Sequence, residues 1–176
     1  MDKKIEEARR EFNEILDYLI FMAASAEIHE AEEGLYKRLL RLGKILLEIF
    51  ILAVGTGEMG ETVVDGDGQR YRHVGKSTRQ YVSIFGEIIV SRTHYAREGK
   101  SGLFPLDGRL NLPRRKYSYP LQGRMGKEAV KSSYESVSSR LKNDFDLEIA
   151  HRPIQRVVGD CTEVAEVDHF CFFGYP

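Results

Sequence analysis

Two runs rich in Val, Ile and Tyr, Tyr81–Phe85 and Ile88–Tyr95, flank the dipeptide Gly86-Glu87. A glycine that opens a two-residue loop suits a type II′ turn, so the stretch reads as a β-hairpin. Pairing Phe85 with Ile88 puts Tyr81, Phe85, Ile88 and Val90 on one face and Val82, Ile84, Ile89 and Tyr95 on the other. Both sets are largely apolar, so the hairpin is expected to be covered on both sides. A sheet that needs two covers demands helices or further strands elsewhere in the chain.

The first third supplies helices. Ile5, Ala8, Phe12, Ile15, Leu19, Met22 and Ala26 alternate steps of three and four, as do Leu35, Leu39, Leu42, Leu46, Ile49 and Ala53. The two frames do not join in phase, so a break is expected within Ser25–Gly34, and Gly55-Thr56-Gly57 ends the second helix. Heptads of this kind pair with another helix, in the same chain or in a second copy; the alternative is a plain amphipathic pair that packs on the hairpin. Asp65-Gly66-Asp67-Gly68 reads as a tight turn between short strands near Thr62–Val64 and Arg70–Val74. It lacks the closing Glu and flanking helices of a calcium loop. Gly55-x-Gly57-x-x-Gly60 follows a helix rather than a strand, which removes the phosphate-cradling geometry of a dinucleotide site. Leu103–Pro113 has no regular period. Its two prolines, Asn111 and Gly108 suggest an extended segment pinned to the core, with Asp107 as a turn residue.

After Pro113 the pattern is helical again. Helices are expected over Ser118–Gly126, over Ser133–Asn143 and from about Ala150 to Phe170, with a turn at Asp144–Asp146. Tyr134, Val137, Leu141 and Phe145 line one face of the middle helix. Leu147, Ile149, Ile154, Val157, Val158, Cys161 and Val164 line the inner face of the last, and Pro153 fixes its start near His151. Ser133–Val158 thus has the form of a helix-turn-helix. With Ile154, Val157 and Val158 inward, His151, Arg152, Gln155 and Arg156 lie outward. Arg and Gln are side chains that reach guanine, adenine and phosphate. Arg114, Arg115 and Lys116 add a basic cluster.

The whole chain carries a net charge of −1, yet residues 105–158 hold 11 basic residues against 6 acidic. That local excess of 5 is a footprint for a phosphate backbone. Cys161 and Cys171 stand ten apart without a CxxC pair, which excludes a disulfide framework or a four-cysteine zinc site. Free thiols, the absence of a signal-peptide pattern at Met1–Glu7 and an apolar run no longer than Ile49–Val54 point to the cytoplasm and away from a membrane. Asp160, Glu163, Glu166 and Asp168 fall at helical intervals and read as a solvated face. No nucleophile–base order, metal site, cofactor site or small-molecule substrate site emerges, so no metal and no cofactor are expected.

Tyr81–Glu87, Arg92, Tyr95, the run Pro105-Leu106-Asp107-x-x-Leu110-Asn111-Leu112-Pro113 and Tyr117-Ser118-Tyr119-x-Leu121-Gln122 together resemble the N-terminal region of the Kra-type group of bacterial insertion-sequence transposases. The resemblance extends upstream through Leu42-Gly43-Lys44-x-Leu46-Leu47 and Gly55-Thr56-Gly57-x-x-Gly60, and spans roughly Glu33 to Phe170. It implies a role in transposition and DNA recombination, with a downstream Asp-Asp-Glu catalytic domain that this sequence does not include. It therefore implies a truncated copy that is not itself an enzyme. Some relatives place a cysteine pair after the second hairpin strand; Ala96–Gly102 has none, so no zinc ribbon is expected. The expected protein is α+β, with a helical arm over 1–54, a small antiparallel β-domain around the hairpin over 55–113 and a helix-turn-helix region over 114–176. Its expected partners are DNA at transposon ends and a second copy through the N-terminal helices. The alternative is a helix-mediated dimerisation module that binds no DNA.

Overall fold

The protein's structure, a computed structural model, describes residues 1–165, with side chains as far as 160. Within those residues it is α+β: six helices and one three-stranded antiparallel sheet of order β1-β2-β3. The chain forms two compact units. One comprises Met1–Tyr81 with Glu87–Leu112, and the other Val82–Gly86 with the chain from Pro113 onward.

In the first unit, α1 (Asp2–Met22) and α2 (Ile28–Val54) pack as a hairpin. Lys4 pairs with Glu48, Glu11 with Arg41, and Tyr18 with the Glu30 carbonyl, so the helices run antiparallel. The break lies at Ala23–Glu27, earlier than the loss of heptad phase suggested. Glu27 and Glu30 form a reciprocal capping box that starts α2. Gly34, expected at the break, sits inside α2 instead. A Cβ there would lie 1.8 Å from the Tyr18 hydroxyl, so the missing side chain is what lets the helices approach. The helix ends at Val54, followed by Gly55 at φ 88°.

β1 (Thr62–Val64) pairs antiparallel with β2 (Arg70–Ser83), matching Val63 to Tyr71. The Asp65–Gly68 turn between them is closed by Asp65 Oδ1, which accepts from the Asp67 and Gln69 amides. β2 is one 14-residue strand, not two short ones, because Gly75 at φ 146° carries the backbone through a conformation closed to other residues. The turn to β3 (Gly86–Ala96) falls at Ile84-Phe85, two residues before the expected position. Ser83 Oγ accepts from the Phe85 amide and donates to the Gly86 carbonyl, which holds the turn there. Cover on both sides holds in part: Ile88 and Val90 are buried on one face and Val82 and Tyr95, expected on the other, are buried too, but Ile89 is 60% exposed.

α2 covers the buried face. Ile51, Ile88, Val90 and Leu106 form one core cluster, flanked by Leu47, Val54, Tyr81, Leu110 and Leu112. Leu106 belongs to α3 (Pro105–Arg109), a single helical turn where an extended segment was expected; Pro105 at the first position presets its φ. Asp107 is more than a turn residue. Its Oδ2 accepts from Arg79 Nη1 at 3.3 Å and from Arg92 Nη1, and Arg92 stacks 4.0 Å over Phe104. A second cluster joins Val63, Tyr71 and Tyr95. The Tyr95 hydroxyl accepts from the Met59 amide and donates to the Gly60 carbonyl, tying down the glycine-rich connector.

In the second unit, α4 (Tyr119–Ala129), α5 (Tyr134–Phe145) and α6 (His151–Ala165) pack on one another. Tyr117 forms a parallel bridge with Val82 ahead of them. The Ser118 and Ser133 side chains accept the Leu121 and Ser136 amides as N-caps. Asp144 and Phe145, expected in a turn, complete α5. Asp146 ends it in the left-handed conformation at φ 53°, so the connection runs over 146–150. Expectations for α6 beyond Ala165, and for the side chains of Cys161, Glu163, Val164, Glu166, Asp168 and Cys171, lie outside the described residues.

Candidate nucleic-acid interface

Leu121, Met125, Val137, Leu141, Ile154 and Val157 are buried, and they are the apolar positions of α4, α5 and α6 at helical spacing. Burying Ile154 and Val157 sets the rotation of α6. At about 100° per residue, the opposite side then carries Arg152, Gln155 and Arg156, and all three are exposed together with His151. Two hydrogen bonds hold the entry to α6: Ser138 Oγ on α5 donates to the Ile149 carbonyl at 2.6 Å, and the Leu147 amide donates to the Leu141 carbonyl. Leu147 and Ile149 are buried beneath that entry.

The basic cluster reaches the same helix. Arg115 clasps Asp160 with both Nε and Nη2, the latter at 2.8 Å from Oδ1. Asp160 follows Arg152 and Arg156 at four-residue spacing, so the three form one ridge along α6 and Arg115 docks one turn past Arg156. The hydrogen bonds from Arg115 hold the Asp160 carboxyl below the usual carboxylate range, and Arg114 adds to this through its charge. The same contact pushes Arg115 upward. Lys116 places Nζ 5.6 Å over the Tyr117 ring. Burial pushes the Tyr117 phenol up, against an opposing effect of Arg115.

His151, Arg152, Gln155 and Arg156 thus share the outward side of α6, and Arg114 and Arg115 lie by its next turn. Two participants were not read from the sequence. Asp160 is an ion-pair partner rather than one of a set of solvated acids, and Arg124 on α4 stacks 4.7 Å over Phe145. Neither carries a local signal, since Asp160 and Arg115 stand 45 residues apart.

Among the described residues no group of three or more His, Cys, Asp or Glu could hold a metal ion. Among the same residues no helix is long and apolar enough to cross a membrane. No protein-family model, curated protein or solved structure matches the chain.

Proposed function

We propose that α5 and α6 act as a helix-turn-helix that binds DNA, and that the chain is the end-recognition part of a transposase-like protein working in the cytoplasm. On this reading α6 enters the major groove, Gln155 and one or both of Arg152 and Arg156 meet base edges, and Arg114 and Lys116 meet phosphates. One observation supports it most. The buried positions of α6 leave a single outward side that carries two arginines and a glutamine and no acid before Asp160, and Arg115 engages that acid. The sequence resemblance adds the transposon end as the DNA, and assigns the chemistry of strand transfer to a domain outside these residues.

The test is binding to duplexes selected from a random library, measured by fluorescence anisotropy across a salt series. Gln155→Ala is expected to relax preference at one base position by about 1–3 kcal/mol. Arg114→Ala is expected to weaken all duplexes alike and to lower the salt slope by about one unit. If the parent selects no sequence and its weak binding to random duplex survives both substitutions, α4–α6 form a bundle without a DNA role.

A further inference from the structure

α6 places Asp160 where a phosphate backbone would run. At about 100° per residue, Asp160 stands about 40° round the helix from Arg156 and one turn further along. It lies on the flank of the outward side, in line with Pro153 and opposite Gln155. A helix in the major groove has base edges before it and sugar-phosphate strands at its flanks. Arg115 meets the Asp160 carboxylate as it would meet a phosphate. Its Nε and Nη2 donate to separate oxygens, Nη2 at 2.8 Å from Oδ1. A guanidinium fork holds a carboxylate and a phosphodiester in the same bidentate geometry, and each carries one negative charge. The pair is not sealed. Its side chains are 37% and 48% exposed, and with Arg114 they line a cleft of about 360 Å³. An ion pair this open to water favours its closed form by a factor of about five or less.

We propose that Asp160 is a phosphate surrogate: its carboxylate fills the Arg115 fork in the free protein, and a DNA backbone phosphate displaces it on binding. This site rests on the DNA-binding reading of α6 and adds to it a device that regulates affinity. The exchange puts one singly charged oxyanion in place of another on the same two donors, so the fork itself loses nothing. Opening the pair is cheap because both partners are already half in water. Arg114, on the same cleft, already acts on the Asp160 carboxyl through its charge, and it offsets the carboxylate that the phosphate releases. The opposing charge of Asp160 is felt by a phosphate in any duplex, whatever its bases. Asp160 therefore sets how tightly DNA of every sequence is held, and leaves the choice among sequences to Gln155 and the α6 arginines.

The test uses the full chain and the duplex it selects best from a random library, read by fluorescence anisotropy. Asp160→Asn is expected to bind that duplex and random duplexes alike about threefold to tenfold tighter than the parent, since the surrogate is gone and the fork remains. Glu7→Gln makes the same change in net charge on α1 and should stay within about twofold. Circular dichroism must show parental helicity in each variant. Replacing single phosphates by neutral methylphosphonate then examines the complex of the parent itself. One position is expected to cost the parent about fivefold and to cost Arg115→Ala nothing, because only the parent brings the fork to that phosphate. A parent that binds no duplex sinks the DNA-binding reading and this site with it. A parent that selects a sequence, with Asp160→Asn no tighter, overturns the phosphate site alone. So does a methylphosphonate series in which no position separates the parent from Arg115→Ala.

Discussion

Replacing Asp107 by Asn should destabilise the first unit by about 3 kcal/mol, although shape and volume hardly change. Asp107 Oδ2 takes hydrogen bonds from both Arg79 and Arg92, and the three side chains are only 25%, 16% and 11% exposed. Asn keeps one acceptor and loses the charge, and Arg92 cannot turn to water from beneath Phe104, 4.0 Å away. Removing one member of a fully buried pair costs about 3–5 kcal/mol; the partial exposure of Asp107 and the retained amide oxygen bring the figure toward the lower end. The exposed Arg115–Asp160 pair, with side chains 37% and 48% exposed, gives the scale at which such contacts matter little, below about 1 kcal/mol. Urea unfolding at pH 7 measures the loss, with amide exchange at Val90 and Tyr95 reporting on the first unit separately. Arg92→Met combined with Asp107→Leu should recover the part of the loss that comes from Arg92, because an apolar pair removes that stranded charge while Arg79 still loses its acceptor. A cost below about 1 kcal/mol for Asp107→Asn, or a double variant no better than the single one, would refute the claim that Arg92 depends on this carboxylate.

Neighbouring isoleucines of β3 should respond oppositely to the same change. Ile88→Asp, at 2% exposure, is expected to cost about 4 kcal/mol, whereas Ile89→Asp, at 60%, should stay within about 1 kcal/mol in thermal melts; equal losses would contradict the exposure of Ile89. The Asp160 carboxyl, followed by carbon NMR, should titrate below the usual range and return to it in Arg115→Gln. A carboxyl held low contributes stability that is present above its unfolded value and lost as pH falls through its folded one, so this pair should open only below about pH 4.

The helices were legible because each has an apolar repeat of 3.6 residues that no strand can satisfy. α1, α2, α4, α5 and the start of α6 lie within a few residues of where periodicity placed them. The sheet was less so. Strands were expected near Arg70–Val74 and from Tyr81, yet Arg70–Ser83 is one continuous strand, which Gly75 carries through at φ 146°. Alternation along Ile88-Ile89-Val90 was hidden because the exposed position is also an isoleucine. The true turn was missed because its determinant is a side-chain bridge from Ser83, not the glycine after it. In the candidate interface, the outward set His151, Arg152, Gln155 and Arg156 was readable from the same periodicity that buries Ile154 and Val157. The partners of charged residues were not, since Arg79, Arg92 and Arg115 find their carboxylates 15 to 45 residues away.

That last gap changes what a charge count means. Residues 105–158 carry an excess of five positive charges in the sequence, and every one of the eleven basic residues enters that count alike. In the fold they do not act alike. Arg140 is engaged by Glu128, Lys142 by Glu148 and Arg115 by Asp160, which lies beyond the counted segment. Arg115 therefore has a different part from Arg152 and Arg156. An unopposed carboxylate on the ridge they share would repel a phosphate backbone about one helical turn from Arg156. Arg115 cancels it, and it does so with two hydrogen bonds that also fasten the segment before α4 to α6. Losing Arg115 would subtract a positive charge and uncover a negative one at the same place, so its effect on an approaching polyanion exceeds that of losing a solitary lysine. The local electrostatics of the ridge thus rest on a pairing across 45 residues as much as on the basic residues themselves.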